Sequence, residues 1–164
     1  MMFSSTLLRN SHKLVRRQST LVVDLLQDPS LLTTFPTSTT NLDVIDPANG
    51  NLIAVVPDYT DVETKAAIQA AKTSGPAWAS MLTKERSAIL ETWHDLMMEN
   101  CEDLAIIMTA ECGKPLSESR GEVAYAASFL KWFAEEAKRS SGDVIPPSAP
   151  GRRLMTIKQP VGIC

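Results

Sequence analysis

The chain has 164 residues, of which 44% are hydrophobic and 21% are charged, a composition typical of one ordinary globular domain. Its formal net charge is -3, and because residues 1–23 carry only basic charges, the remainder is more acidic still. Such a chain does not attract phosphate backbones, which argues against nucleic-acid binding, and no apolar run approaches the roughly 20 residues that cross a bilayer.

Residues 1–23 have the composition of an organelle import peptide. On a helical wheel, apolar and basic side chains fall on opposite sides, and no acidic residue occurs before Asp24. The apolar side holds Phe3, Leu7, Leu8, Leu14 and Val15, and the basic side holds Arg9, Lys13, Arg16 and Arg17. We therefore predict a mitochondrial targeting peptide over residues 1–23 and a location in the mitochondrial matrix, with a disordered basic tail as the alternative. Residues 24–40, rich in Pro, Ser and Thr, predict a linker.

Two β-branched apolar runs in "NLDVIDPANGNLIAVVP" predict a pair of strands joined by a tight turn at Pro47-Ala48-Asn49-Gly50. We expect Asn49 and Gly50 to supply the positive φ that such a turn needs. This hairpin begins the domain that we predict over residues 41–164.

Four helices are predicted after the hairpin. Thr60 and Glu63 form a capping-box pattern before the first helix, which should end at Gly75-Pro76. The second should start near Thr83 and bury a stripe of apolar residues spaced i, i+4 and i+7. That stripe consists of Ile89, Trp93 and Leu96.

Asn100 separates the second helix from a short third helix, which should stop at Gly113-Lys114-Pro115. The fourth helix is predicted from about Ser117 to Ser140, with Gly142 ending it and small or apolar residues along one stripe. The stripe consists of Val123, Ala127, Leu130, Ala134 and Ala137. A short strand, a Pro-rich bend and a second strand around Leu154 to Lys158 should follow.

The sequence contains none of the common active-site patterns. It has no GxGxxG, GxxxxGK[ST] or HExxH pattern, and no usable set of Ser, His and Asp. Its three cysteines and two histidines are spaced too widely for a disulfide framework or a metal site. Trp78, Trp93 and Trp132 are interpreted as core anchors rather than a ligand cage.

Cys112 is the most tempting nucleophile, but no His is near it in sequence, so we interpret it as a small side chain in the last turn of a helix. Four carboxylates on the long helix are interpreted as solvated or helix-stabilising charges. They are Glu118, Glu122, Glu135 and Glu136. The sequence therefore predicts no catalytic, cofactor-binding or metal-binding residue in this chain.

The stretch "TAECGKPLSESRGEVAYAASFLKWFAEEAKR", residues 109–139, closely resembles a helix pair of the succinate-semialdehyde dehydrogenases, a branch of the aldehyde dehydrogenase superfamily. The resemblance covers roughly residues 41–164 and includes "VIDPANGNLIAVVPD", "AAKTSGPAWASMLTKERSAIL" and "GDVIPPSAPGRRLMTIKQPVGIC". Its most specific pieces are Gly113-Lys114-Pro115, Arg120-Gly121-Glu122-Val123 and Gln159-Pro160-Val161-Gly162. One position departs, because this branch usually carries Gln where this chain has Cys112.

The resemblance implies an α/β fold class: the incomplete N-terminal portion of a Rossmann-like cofactor domain, with a β-hairpin, four helices and two strands of a bridging sheet. It implies an NAD- or NADP-dependent oxidoreductase of GABA degradation that oxidises succinate semialdehyde to succinate. In the family, a Cys thiolate attacks the aldehyde, the thiohemiacetal gives hydride to the nicotinamide, and a Glu base assists hydrolysis of the thioester. Those groups lie beyond the segment that matches this chain. We therefore expect a truncated chain, inactive alone, that binds neither NAD nor NADP.

The resemblance further implies a small aldehyde substrate and a homo-oligomer formed through the strands around residues 143–159. Family members often bind a monovalent cation near the start of the long helix, and Glu122 is the nearest match in this chain. Two alternatives stay open: a non-catalytic helical interaction module, and another subfamily such as glutarate-semialdehyde dehydrogenase. The choice between NAD and NADP also stays open.

Overall fold

The structure, a computed structural model, describes residues 25–28 and 40–164. These residues form two compact units. The first unit contains the described residues up to Thr60 together with Glu99–Tyr125, and the second unit contains Asp61–Met98 and Ala126–Cys164. The predicted targeting peptide and most of the predicted linker lie outside the described residues, so the proposed boundaries at residues 23 and 40 stay predictions.

In the first unit, strands β1 (Asn41–Ile45) and β2 (Leu52–Pro57) form the predicted antiparallel hairpin. Their β-branched residues favour the extended backbone, and the consecutive residues Ile53 and Ala54 of β2 are both buried. A hydrophobic core cluster joins these two residues to Leu26. Partly buried side chains packed against the cluster are Val44, Ile106, Ile107 and Ala110.

The hairpin turn is longer than predicted. The backbone N–H of Asp46 donates to the carbonyl of Asn51 at 2.8 Å, and Gly50 adopts a φ of +75° as expected. Asn49 does not have a positive φ, so that part of the prediction is wrong. Its side chain instead donates to the carboxylate of Asp46 and accepts the N–H of Asn51, both at 2.8 Å, and these bonds shape the turn.

The predicted helices all lie within the described residues: α1 (Asp61–Ser80), α2 (Thr83–Glu99), α3 (Cys101–Cys112) and α4 (Leu116–Ala137). Helix α3 and the first part of α4 belong to the first unit, whereas α1, α2 to Met98 and the last part of α4 belong to the second. Asn100 separates α2 from α3, as predicted. No helix within the described residues combines the length and apolar character that a membrane span requires.

Helix α1 begins directly after Thr60, as its capping-box pattern predicts, but it does not end at Gly75-Pro76. It continues through Pro76, which lacks the N–H that an internal helix position normally donates. In the turn before this proline, the hydroxyls of Thr73 and Ser74 donate to carbonyls four residues earlier, at 2.9 and 3.0 Å. Such bonds favour helix bending, which relieves the clash of an internal proline ring.

Helix α2 starts where predicted, and the carboxylate of Glu85 accepts the backbone N–H of Leu82 at 2.9 Å, which satisfies an N-terminal donor. The predicted buried stripe is wrong. Ile89, Trp93 and Leu96 are each about half exposed, whereas Ser87 is fully buried. Periodicity identifies residues that share a helix face, but it does not determine whether that face is covered.

Helix α4 buries three residues of the predicted stripe, Val123, Ala127 and Ala134, at 2% exposure or less. The other two, Leu130 and Ala137, are only partly buried. It begins and ends within three residues of the predicted bounds, and 3₁₀-type bonds from Lys138 and Arg139 close its last turn before Gly142 is reached. The interpretation of the tryptophans as core anchors is wrong for all three. Trp78, Trp93 and Trp132 are 43%, 56% and 64% exposed.

Strands β3 (Val144–Ile145) and β4 (Leu154–Met155) pair antiparallel in the second unit. Strand β3 is short, as predicted, whereas β4 is shorter than the predicted Leu154 to Lys158. Beyond the ladder, the N–H of Thr156 donates to the carbonyl of Asp143 at 2.8 Å. A Cβ on Gly142 would lie 1.8 Å from the carbonyl oxygen of Thr156, so this close approach requires glycine. The use of these strands in oligomer assembly stays a prediction.

Candidate functional site

The connection between α3 and α4, which we call the corner, consists of Gly113-Lys114-Pro115. Gly113 adopts a φ of +73°, and its N–H donates to the carbonyl of Thr109 at 2.8 Å, so it caps α3 in the left-handed conformation. A Cβ at this position would lie 3.1 Å from Cγ of Pro47 in the hairpin turn. Both the backbone conformation and the close contact therefore favour glycine.

The two residues after Gly113 fix the start of α4. The carbonyl of Pro115 accepts the backbone N–H groups of Glu118 and Ser119 at 3.0 and 3.1 Å, which satisfies donors that a helix N-terminus leaves open. The ammonium of Lys114 forms an ion pair with the carboxylate of Glu122, which lies in the second turn of α4. This pair joins the corner to the helix that follows it.

Two further contacts hold α3 against α4. The hydroxyls of Thr109 and Ser119 are hydrogen-bonded at 2.8 Å, and Ser119 is fully buried. Arg120 donates through Nε and Nη2 to the two carboxylate oxygens of Glu102, at 2.7 Å each. This bidentate hydrogen bond lowers the pKa of Glu102 below its ordinary value and raises the pKa of Arg120.

These contacts give a structural role to each specific motif of the first unit. In Arg120-Gly121-Glu122-Val123, the two charged side chains form the ion pairs just described, and Val123 belongs to the buried stripe. Around Gly121 there is open space where a Cβ would stand. The motifs of this unit therefore build a helix–helix connection, and no group in them is positioned as a nucleophile or a base.

Asp103, in the first turn of α3, is a polar group that sequence reasoning missed. Its side chain is 3% exposed, and its two carboxylate oxygens accept the backbone N–H groups of Gln27 and Asp28 at 2.9 and 2.7 Å. An acidic residue in the first turn of a helix normally suggests interaction with that helix's own N-terminus. No local pattern indicates that its partners lie 76 and 75 positions earlier in the chain.

In the second unit, the motif Gln159-Pro160-Val161-Gly162 runs beside the last turns of α1. An open cleft of about 800 Å³ lies there, and its walls are mainly apolar. Its lining includes Gly75, Pro76, Trp78, Pro160, Gly162 and Ile163. Such a surface offers contact area, but it does not present converging polar groups that would orient a small ligand.

Between α2 and the segment after α4, Lys138 donates to the carboxylate of Glu91 at 3.0 Å. This hydrogen bond lowers the pKa of Glu91 and raises the pKa of Lys138, and Glu135 adds to the latter effect. The pair is exposed to solvent, so it orients the two segments more than it stabilises them.

The structure does not bring the tempting side chains together into a reactive set. Cys112 is exposed at the end of α3, and within the described residues no hydrogen bond or ion pair reaches its thiol. Glu135 and Glu136 form ion pairs with Lys138 and Arg139, at 4.0 and 2.6 Å. No cluster of three or more His, Cys, Asp or Glu side chains that could hold a metal ion occurs in the described part of the chain.

Glu122 was the nearest match to a monovalent-cation site, and the structure gives it the ammonium of Lys114 as a partner. Its role in binding a free cation stays a prediction. Within the described residues, the strands form two antiparallel pairs. The expectation that the chain binds neither NAD nor NADP stays a prediction.

Comparison with known proteins identifies the chain's relatives. The sequence model described as "Aldehyde dehydrogenase family" matches residues 35–164. A glutarate-semialdehyde dehydrogenase of Pseudomonas putida is 55% identical over 120 residues, which cover 73% of this chain and 25% of that protein. The NADP(+) succinate-semialdehyde dehydrogenase of Escherichia coli is 52% identical over 122 residues, covering 74% and 25%. The chain thus spans about a quarter of the length of the curated relatives that it matches.

The fold agrees with these matches. A crystal structure of an aldehyde dehydrogenase from Brucella melitensis superposes with a TM-score of 0.80 and 47% identity, covering 83% of this chain and 30% of that one. The predicted α/β fold class is therefore confirmed, with four helices and short antiparallel strands that correspond to the N-terminal part of such structures.

The predicted mitochondrial location is wrong. The relatives at 55% and 52% identity are bacterial, whereas the mitochondrial succinate-semialdehyde dehydrogenase of the mouse is 48% identical. The prediction depended on the composition of some 20 residues, and basic amphipathic segments occur for reasons other than import.

Proposed function

Because the chain belongs to the aldehyde dehydrogenase family, we propose that it contributes the first part of an NAD(P)-dependent oxidoreductase that oxidises succinate semialdehyde to succinate. Glutarate semialdehyde is the alternative substrate. In this proposal the nicotinamide, held by parts of the enzyme other than the residues described here, accepts the hydride. The described residues contribute the corner, the hairpin and the packed helices.

One observation carries the proposal: identity above 50% extends over about 120 residues to enzymes whose names specify four- and five-carbon semialdehydes. The resemblance is not confined to one short motif. The fold agrees as well, with a TM-score of 0.80 to an aldehyde dehydrogenase structure at 47% identity. A shared fold over most of this chain supports the same place in the enzyme.

The chain alone is proposed to be inactive, since the described residues present neither an activated nucleophile nor a dinucleotide site. Purified chain is incubated with succinate or glutarate semialdehyde and with NAD or NADP, and the absorbance of the reduced nicotinamide is followed. We expect no reduction above the rate without protein. Turnover that disappears in Cys112→Ala would contradict the inactivity and would identify Cys112 as a nucleophile.

A chimera tests the proposed place of this chain in the enzyme. In the Escherichia coli enzyme, the segment that matches this chain is replaced by the corresponding residues of this chain. NADP reduction by the chimera is then measured with both semialdehydes. We expect a soluble chimera that oxidises succinate semialdehyde. A soluble chimera with native-like circular dichroism but no activity would contradict the proposal. A shift of kcat/KM toward glutarate semialdehyde, relative to the parent, would favour the alternative substrate.

Sequencing the complete coding region provides an independent test. We expect it to encode, beyond the matched segment, the catalytic Cys and Glu that the family resemblance implies. A stop codon directly after Cys164, together with a stable purified protein, would instead favour a non-catalytic helical interaction module.

A further inference from the structure

The hairpin turn contains the dipeptide Asn49-Gly50, and both residues are exposed to solvent. Gly50 adopts a φ of +75°, and nothing lies within 4 Å of the place where a Cβ would stand. The backbone nitrogen of Gly50 therefore has no side chain on its own residue and no neighbouring group crowding that side. The turn places a side-chain amide directly before the least hindered backbone nitrogen that a following residue can provide.

Hydrogen bonds hold the side chain of Asn49 at both ends. Its Nδ2 donates to Oδ2 of Asp46, and its Oδ1 accepts the N–H of Asn51, both at 2.8 Å. The N–H of Gly50 is also bonded, because it donates to the backbone carbonyl of Asp46 at 2.8 Å. Asp46 thus binds the amide of Asn49 through its carboxylate and the N–H of Gly50 through its backbone.

The two hydrogen bonds of the Asn49 amide have opposite effects on attack at its Cγ. The N–H of Asn51 points at Oδ1, the atom that gains negative charge when a nucleophile adds to Cγ, and a donor at that position favours the addition. The carboxylate of Asp46 lies beside Nδ2 and carries a negative charge, which disfavours a second negative charge close to it. Asp46 therefore opposes the reaction that Asn51 promotes.

We propose that Asn49 is a site of spontaneous deamidation in this chain, and that Asp46 restrains the reaction. The backbone nitrogen of Gly50 gives its proton to a base in the solvent and forms a bond to Cγ of Asn49. The bond from Cγ to Nδ2 breaks, and Nδ2 takes up a proton and leaves as ammonia. This closes a succinimide ring, which water then opens at either carbonyl to give aspartate or isoaspartate. The attack is intramolecular, which favours it over direct hydrolysis by water.

Deamidation changes the hairpin turn in a way that the chain does not reverse. An aspartate at position 49 has no N–H to donate to Asp46 and places a second carboxylate against the first. An isoaspartate also lengthens the backbone by a methylene group, which displaces the N–H of Gly50 from the carbonyl that it now reaches. The turn lines a cleft of about 400 Å³ that α3 also lines, so the product adds negative charge to that cleft.

Peptide mapping by mass spectrometry locates the reaction in the full chain. The folded chain is incubated at mildly alkaline pH and digested, and deamidation is followed at each asparagine. Asn51 is the internal control, since it is exposed in the same turn but precedes Leu52. We expect deamidation several-fold faster at Asn49 than at Asn51, with both isomers formed. Equal rates at the two residues, or no product at Asn49, would overturn the site. Aspartate without isoaspartate would overturn the ring mechanism.

A pair of variants tests the role of Asp46. Asp46→Asn keeps an acceptor oxygen in the turn but removes the charge, and its own amide forms no ring because Pro47 has no N–H. Since hydrogen bonds to a charged acceptor are about twice as strong as neutral ones, deamidation at Asn49 should become about fivefold faster. Asp43→Asn is the matched control, because it makes the same change at an exposed carboxylate of β1, and it should leave the rate at Asn49 unchanged. An unchanged rate in Asp46→Asn, or an equal rise in both variants, would overturn the restraint.

The unmodified chain gives a second test that does not depend on the folding of a variant. Deamidation at Asn49 is compared in buffer and in concentrated urea, where the hydrogen bonds of the turn are lost. We expect the rate in urea to be about tenfold higher or more. Equal rates in the folded and the unfolded chain would show that the turn does not restrain the reaction.

Discussion

Alanine at Gly113 should lower the free energy of unfolding by about 2 to 3 kcal/mol, and the structure divides this effect into two parts. The residue adopts a φ of +73°, and a non-glycine residue in the left-handed conformation costs about 1 to 2 kcal/mol. The added Cβ would also lie 3.1 Å from Cγ of Pro47, and such overpacking adds about 1 kcal/mol. Pro47 is in a ring and has little freedom to move away.

Two other glycines separate these contributions. Gly50 has a nearly identical φ of +75°, but nothing lies within 4 Å of an added Cβ, so Gly50→Ala should show only the backbone cost of about 1 to 2 kcal/mol. Gly121 is inside α4 with open space around it, and alanine is the better helix former. Gly121→Ala should therefore raise the free energy of unfolding by about 0.5 to 1 kcal/mol.

The assay is urea unfolding followed by far-ultraviolet circular dichroism for the three variants and the parent chain. From the most to the least stable, the expected order is Gly121→Ala, the parent chain, Gly50→Ala and Gly113→Ala. Equal losses at positions 50 and 113 would show that contact with Pro47 has no energetic effect. A Gly113→Ala variant as stable as the parent would refute the assignment of the left-handed cap.

Three further predictions concern polar groups. Ser87→Ala should stabilise the chain by about 1 kcal/mol in the same urea assay, because the buried hydroxyl has no hydrogen-bond partner among the described residues; destabilisation would contradict this. The parent should be more stable than Glu91→Gln above pH 4.5, and this difference should disappear as the pH falls through the lowered pKa of Glu91. The reason is that protonation of Glu91 removes the charge that Lys138 binds. A difference that persists in acid would exclude the ion pair as its cause. In Arg120→Ala, NMR titration should show the pKa of Glu102 rising toward its ordinary value of 4.5, whereas an unchanged pKa would mean that the bidentate bond is absent in solution.

The parts of the fold that could be predicted depend on local signals. Thr60 and Asn100 are residue types that commonly precede a helix, and they stand directly before α1 and α3. Gly113 ends α3 because it adopts the left-handed conformation that glycine favours. The buried stripe of α4 was predictable because small residues recur with helical spacing and the chain provides a surface that covers them. Each of these features requires information from only a few neighbouring residues.

The failures have a different origin. The same periodicity on α2 predicted that Trp93 is buried, but its side chain is more than half exposed. The prediction failed because a sequence pattern does not show what covers a helix face. Pro76 was predicted to end α1, but the helix continues to Ser80. In the turn before Pro76, two side-chain hydroxyls donate to backbone carbonyls, which favours a bend that accommodates the proline ring. Asp103 was missed because its partners are distant in sequence and are backbone groups, which leave no trace in residue identity.

Helix α3 organises the first unit, since separate parts of its surface contact each of the other elements. Its apolar residues Ile106 and Ile107 pack against the hairpin cluster. Asp103 accepts the N–H groups of residues 27 and 28, and Thr109 is hydrogen-bonded to Ser119 of α4. At its end, Gly113 lies close to the hairpin turn. A helix with so many different neighbours has little apolar periodicity of its own, because no single face is buried and no single face is free. The helix that makes contacts with every other described part of the first unit is therefore one whose own sequence shows little helical pattern.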